Sequence, residues 1–308
     1  RFQYLHSETK YSKDIVLNFG QPEDPFSGSA LETNYFHMSR NWRYGINYTD
    51  RVPGFRADNG YVPRVDVRTV GGNFGRVFWG KPNDWFTSLN FAVNGRSTWD
   101  HEGNLTDQMV NLQGIYQGPL QSTFLLAYDR TKELYIDKHY NLDDVTVYGE
   151  MKPVNGLRFL MTGIFGDAID YTNARKANQL ILAPFAEVSL GRHINFNLNH
   201  TFQRLELGRK KIFTANLSQL RLVYNFSVKV FVRVIVQYLD ISRNPDLYLS
   251  PVLPNTKTFF TQLLFSFKLN PQTVFFLGYA DNYFGMNGLD ITQTDRTFFV
   301  KIGYAWTK

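Results

Sequence analysis

The sequence predicts an all-β protein: a transmembrane antiparallel β-barrel to which this chain contributes about 14 to 16 strands. Three observations carry that reading. Apolar and polar residues alternate with period two over segments long enough to span a membrane. No run reaches the roughly 18 uninterrupted apolar residues that a transmembrane helix requires. Tight turns also alternate with longer connections along the chain.

Alternation broken by Gly, Pro, Asn and Asp delimits roughly 14 segments: 31–50, 61–78, 85–98, 106–117, 120–135, 144–152, 157–169, 178–190, 193–207, 214–226, 228–241, 258–269, 273–283 and 294–306. In 193–207, Ile194, Phe196, Leu198 and Phe202 oppose Asn195, Asn197, Asn199, Thr201 and Gln203. In 214–226, Leu220, Leu222, Tyr224 and Phe226 alternate with Gln219, Arg221 and Asn225. The next segment sets Val228, Val230, Val232, Val234, Val236 and Tyr238 against Lys229, Arg233 and Gln237. Leu263, Phe265 and Phe267 alternate with Gln262, Ser266 and Lys268; Phe298, Val300, Ile302, Tyr304 and Trp306 share the apolar face of the last segment. Successive side chains of a strand point to opposite faces, so each segment has one face suited to hydrocarbon and one suited to water.

A soluble sandwich shows the same periodicity, and segment length and connections decide between the two. Most segments match or exceed the roughly 9 to 11 residues of a tilted membrane strand. Tight connections fall at 80–84, 118–119, 153–156, 191–192, 227 and 270–271. Longer ones fall near 51–60, 99–105, 136–143, 170–177, 208–213, 242–257 and 284–293. Outer-membrane barrels keep short turns on the periplasmic side and long loops outside. The last segment then descends to the periplasm. Counting back, the segment from Leu31 ascends, 21–30 is a periplasmic connection, and 11–19 is a descending strand that begins outside. Such barrels have an even strand number, so the count predicts that 1–308 is a single barrel domain lacking its first part. The alternative is a hairpin within residues 1–20.

Composition agrees. Aromatic residues make up 16% of the chain, with 18 Tyr and 27 Phe, which suits a protein that lines two membrane interfaces with rings. The absence of Cys excludes a disulfide framework and thiolate metal sites. A net charge of +6 comes without a basic run or helix-turn-helix pattern, which argues against a nucleic-acid partner.

Several stretches carry a resemblance: Gly54-Phe55, NGYVPRVDVR at 59–68, LFSFKLNPQTVFFLGY at 264–279 and QTDRTFFVKIGY at 293–304. In order along nearly the whole chain, they resemble the C-terminal barrel domain of an uncharacterised family of Gram-negative outer-membrane proteins. In that family the barrel follows a domain similar to family 9 carbohydrate-binding modules. The resemblance implies the cell outer membrane as location. It implies outer-membrane lipid and the barrel-assembly machinery as partners, together with an upstream carbohydrate-binding module or a second envelope protein. It brings no reaction. The last segment carries a partial assembly signal, with Gly303 three residues before Trp306, and Lys308 departs from the pattern's terminal aromatic.

Residues that bear chemistry are sparse in pattern. His6, His37, His101, His139, His193 and His200 show no metal-binding or Ser-His spacing; His193 falls in a turn, and His200 on the apolar face near a membrane edge. The chain therefore reads as a non-enzyme without cofactor or metal. The acidic groups Asp143-Asp144, Asp167 with Asp170, and Asp281, Asp290 and Asp295 fall in predicted outer loops. None fits a defined calcium loop, and they read as solvated charges. Arg221, Lys229, Arg233, Gln237 and Lys268 are the candidate lumen-lining residues. As a charged pore lining they would favour anions; paired with carboxylates they would plug the lumen instead. Trp79, Trp85, Tyr304 and Trp306 are the candidate membrane-interface girdle. The leading functional expectation is a pore or passage for a polar or glycan-related solute. The rival is a closed structural barrel that anchors or docks a partner protein.

Overall fold

The computed structural model describes residues 1–19, 23–57, 60–270 and 273–304. Sixteen strands form one sheet in sequence order. They are β1 (Phe2–Thr9), β2 (Phe26–Met38), β3 (Trp42–Arg51), β4 (Val67–Trp79), β5 (Ser88–Trp99), β6 (Leu105–Gly118), β7 (Ser122–Tyr135), β8 (Lys138–Val154), β9 (Leu157–Asp170), β10 (Arg175–Leu190), β11 (Ile194–Leu207), β12 (Lys210–Asn225), β13 (Val230–Arg243), β14 (Asn255–Asn270), β15 (Thr273–Met286) and β16 (Thr292–Gly303). A short helix, α1 (Lys13–Phe19), follows β1, and a 3-10 turn (Pro245–Leu247) follows β13. Among the described residues no helix is long and apolar enough to cross a membrane. The expected all-β, antiparallel barrel class holds.

Three expectations need correction. Segment 31–50 is two strands, β2 and β3, joined at 39–41, where Ser39 N donates to Trp42 O at 2.9 Å. Residues 11–19 hold α1 and not a strand, and 26–30 belong to β2 and not to a periplasmic connection. With β1 added, the described strands number sixteen. Third, several connections expected to be long are tight. The β7–β8 turn is Ile136-Asp137, both at positive φ (46° and 58°) as a two-residue hairpin turn demands. The strands run on instead: 14 residues of β11 reach about 46 Å, or about 35 Å of height at a tilt near 40°, against an apolar band of about 25 Å. Polar residues outside the membrane continue the hairpin ladder because each added residue pairs its backbone. Only their weaker alternation made them read as loops.

The chain divides into two compact units. The first comprises 1–84, 88–115 and 127–143, the second 85–87, 116–126 and 144–308. In the first, the 52–66 connection folds back onto β2. Val52 N donates to Ser29 O at 3.1 Å, Arg56 N donates to Ser7 Oγ at 3.0 Å, and Phe55 is buried. This approach needs Gly28, where an added Cβ would stand 2.1 Å from Phe55 N. The quoted Gly54-Phe55 pair therefore has a packing role.

In the second unit the register separates two faces. One row reads Leu157, Val188, Phe196, Leu222, Val234, Leu263, Tyr279 and Phe298 from β9 to β16. Leu263 and Phe298 on this row are 47% and 65% exposed, an arrangement that suits a lipid surface and not water. The row on the opposite face reads Arg158, Glu187, Asn197, Arg221, Ile235, Gln262, Ala280 and Thr297. Pro184 interrupts the β10–β11 ladder, whose register skips 183–184, since proline has no N–H to give.

Candidate solute-facing site on the polar face

The structure brings three of the five expected lining residues together. Arg221 of β12 stands opposite Asn197 and Ile235, Arg233 of β13 opposite Val223 and Leu264, and Gln237 opposite Gln219 and Phe260, all on the polar face. Arg233 Nη2 donates to Gln262 Oε1 at 3.1 Å, while its Nε is buried without an acceptor. Lys268 lies on the same face at the exposed end of β14. Lys229 lies in the turn before β13, where its carbonyl accepts from Lys268 N at 2.7 Å. Val228 is in the same turn and not in the strand.

Sequence reading missed the groups that surround this set. Arg158 Nε donates to Glu150 Oε1 at 2.7 Å and its Nη1 lies 4.0 Å from Glu187 Oε2. Tyr148 donates to Glu150 Oε2 at 2.6 Å, and Asn195 Nδ2 lies 3.0 Å from both Glu187 Oε1 and Ser189 Oγ. Register shows that β8, β9 and β10 set Tyr148, Glu150, Arg158 and Glu187 side by side on the polar face, with one guanidinium between two carboxylates. Asn195, Asn197, Asn199, Gln219 and Gln262 add a band of amides on the same face.

At the opposite end of these strands, the 244–254 connection lies against the polar-face positions Ala168, Ala177, Leu205 and Phe213. Leu247 and Tyr248 pack there on buried Ala177, Leu205 and Ile212. Arg175 ties it down: Nε donates to Asp170 Oδ2 at 3.0 Å and Nη2 to Leu247 O at 2.5 Å. Asn173 Nδ2 donates to Asp170 Oδ2 at 2.7 Å, and Asn173 Oδ1 accepts from Leu249 N at 2.9 Å. Burial holds the Tyr248 hydroxyl above its ordinary titration range. Asp170 and Asp167 are thus not free solvated charges, since Asp167 lies 2.6 Å from Lys176 Nζ. Asp281 accepts from Tyr279, Gln293 and Arg296, and Asp295 accepts from Asn282.

In the first unit His101 lies between two carboxylates, Nδ1 2.9 Å from Asp66 Oδ1 and Nε2 2.9 Å from Asp50 Oδ1. Asp50 also accepts from Tyr48 at 3.0 Å and lies 3.6 Å from Arg68 Nε. With both nitrogens engaged by carboxylates, the ring is a clasp between the 52–66 and 100–104 connections and has no nitrogen left for base catalysis. His200 lies within β11, with Nδ1 2.8 Å from Ser218 Oγ of β12.

Of the expected girdle, Trp79 donates from Nε1 to Arg40 O at 2.8 Å. Trp85 stacks on Tyr116 with centroids 5.5 Å apart and accepts the Tyr116 hydroxyl at its carbonyl, 2.7 Å. Tyr304 is exposed. Trp306, with the rest of 305–308, lies outside the described residues, as do Asn59 and Pro271-Gln272 of the quoted stretches.

Neither a protein-family model nor a curated protein matches the chain. Solved structures do match in fold, and they define its class as an outer-membrane β-barrel. The ferric enterobactin receptor PfeA in complex with BCV-L6 aligns over 92% of this chain and 53% of its own, with TM-score 0.53 and 12% identity. Its G324V mutant from Pseudomonas aeruginosa aligns over 91% and 52%, with TM-score 0.54 and 12% identity. OmpT, an outer membrane protein of Vibrio cholerae, aligns over 99% and 96%, with TM-score 0.41 and 11% identity. The chain spans about half the length of the receptor. Transmembrane barrels of this construction belong to bacterial outer membranes, which locates the chain in the outer membrane of a Gram-negative cell.

Proposed function

We propose that the chain forms a non-enzymatic passage for a polar solute. The observation that carries this reading is the polar face of β11 to β14. Asn195, Asn197, Asn199, Gln219, Arg221, Arg233, Gln237 and Gln262 are all half-buried there, and neither Arg221 nor Arg233 has a carboxylate partner among the described residues. A filled interior would pair such groups, because an unsatisfied polar group away from water costs about 1 to 3 kcal/mol. A water-filled lumen solvates their accessible atoms at no such cost and leaves only the buried Arg233 Nε and Asn197 Oδ1 of this set without a partner. The resemblance to barrels that follow a carbohydrate-binding module supports a glycan-related solute, and it makes the upstream module, the assembly machinery and a larger barrel part of the same proposal.

The rival, a closed barrel that docks a partner, draws support from the 244–254 connection, which covers polar-face positions at one end of the strands. Conductance of the purified protein in planar bilayers decides between them. Discrete channel openings support passage; a folded, inserted protein that never conducts refutes it.

A further inference from the structure

Arg221 stands opposite Ile235 in the β12–β13 ladder, and Arg233 two residues away stands opposite Val223. The two arginines are therefore diagonal neighbours on one face, about 7 to 8 Å apart at the backbone. Like charges placed so closely destabilise a strand pair unless something neutralises them. Four other arginines of this unit each have a carboxylate. Arg158 has Glu150 and Glu187, Arg175 has Asp170, Arg204 has Glu206, and Arg296 has Asp281.

Charge segregation explains why this pair has none. Beyond position 188 the acidic residues are Glu206, Asp240, Asp246, Asp281, Asp290 and Asp295. Five lie in strand ends or connections remote from the turns at 191–193 and 226–229, and Asp281, within β15, is engaged by Tyr279, Gln293 and Arg296. The end nearest those turns carries Arg221, Lys229, Arg233 and Lys268, and the one carboxylate on β12 to β14, Asp240, lies toward the other end of β13 and on its opposite face. Gln262 meanwhile holds Arg233 through Nη2 and fixes the plane of its guanidinium. A planar, oriented guanidinium beside a second one presents forked donors matched to the oxygens of a carboxylate, phosphate or sulfate.

We infer that Arg221 and Arg233 form an oxyanion-binding step on the polar face of β12 and β13, so that the passage selects solutes carrying a carboxylate, phosphate or sulfate group. This rests on the passage reading above. Lys229 and Lys268 extend the positive surface toward the turn and draw the anion along it.

The test is the permeability ratio of chloride to potassium, read from reversal potentials of the natural protein in planar bilayers under a potassium chloride gradient. One guanidinium about 7 Å from the ion path in water favours the anion and disfavours the cation by a factor of about 2.7 each, and so changes that ratio about sevenfold before screening by salt. The wild type is expected to favour chloride, and Arg221→Gln combined with Arg233→Gln to bring the ratio close to unity. Lys257→Gln, on the opposite face beside Asp240, is expected to leave it unchanged. Potassium glucuronate in place of chloride then tests the oxyanion itself: permeation that falls on the double substitution supports the step, and a protein that passes chloride but excludes glucuronate overturns it. Conductance without anion preference, or a preference that survives the double substitution, overturns the anion site and leaves the passage standing. Absence of conductance from folded protein overturns the passage reading and this inference with it.

Discussion

Replacing Arg175 with Met should release the 244–254 connection. The substitution keeps the aliphatic stem but strands Asp170, whose side chain is 5% exposed. Breaking a buried ion pair from one side costs about 3 to 5 kcal/mol. Arg175 itself is 26% exposed, and Asn173 still donates to the same carboxylate oxygen at 2.7 Å. These two facts reduce the expected cost to about 2 kcal/mol, the lost bond to Leu247 O included. The effect is local, so it appears as a rise of about 30-fold in opening of the connection. The Leu249 amide reports it directly, because its N–H donates to Asn173 Oδ1 at 2.9 Å. Hydrogen exchange at Leu249 should accelerate by that factor, while amides inside β11 to β13 exchange as before. Adding Asp170→Asn should recover part of the loss by removing the stranded charge. Unchanged exchange at Leu249, or a double variant more open than the single one, would refute the reasoning.

The Tyr248 hydroxyl, raised above its ordinary value of 10.0 by burial, keeps its contribution below the unfolded value and loses it as pH rises through the folded one. Opening of 244–254 should therefore be flat through neutral pH and increase only above about pH 10; Tyr248→Phe should abolish that alkaline step, as read by exchange or limited proteolysis. Gly28→Val places a side chain against backbone, since even a Cβ there meets Phe55 N at 2.1 Å. Protease cleavage within 52–66 should rise by the equivalent of about 1 to 3 kcal/mol, and equal cleavage in both proteins would show that the connection does not depend on this contact. His101→Leu leaves Asp66 without its ring partner while Arg68 still faces Asp50. Both the 52–66 and 100–104 connections should become more susceptible to protease, with no change in bilayer conductance. An unaltered cleavage pattern would remove the clasp.

Period-two alternation was enough to determine the class of fold and the polar face that carries Arg221, Arg233 and Gln237. The side-chain period of a strand is a local property, and hydrocarbon on one face and water on the other impose it residue by residue. Local pattern was insufficient where the solvent contrast disappears. The strand ends outside the membrane, the hairpin at 39–41 and the helix at 13–19 were misread because water on both faces leaves no alternation to follow. The partners of each charge were equally out of reach. Glu150, Arg158 and Glu187 come from three strands, Asp170 and Leu247 are far apart in the chain, and His101 meets Asp50 and Asp66 across two connections. A strand's faces depend on its own sequence, whereas the register that sets one charge beside another depends on every pairing at once. Only the tertiary structure therefore decided which arginines stand beside a carboxylate and that Arg221 and Arg233 do not.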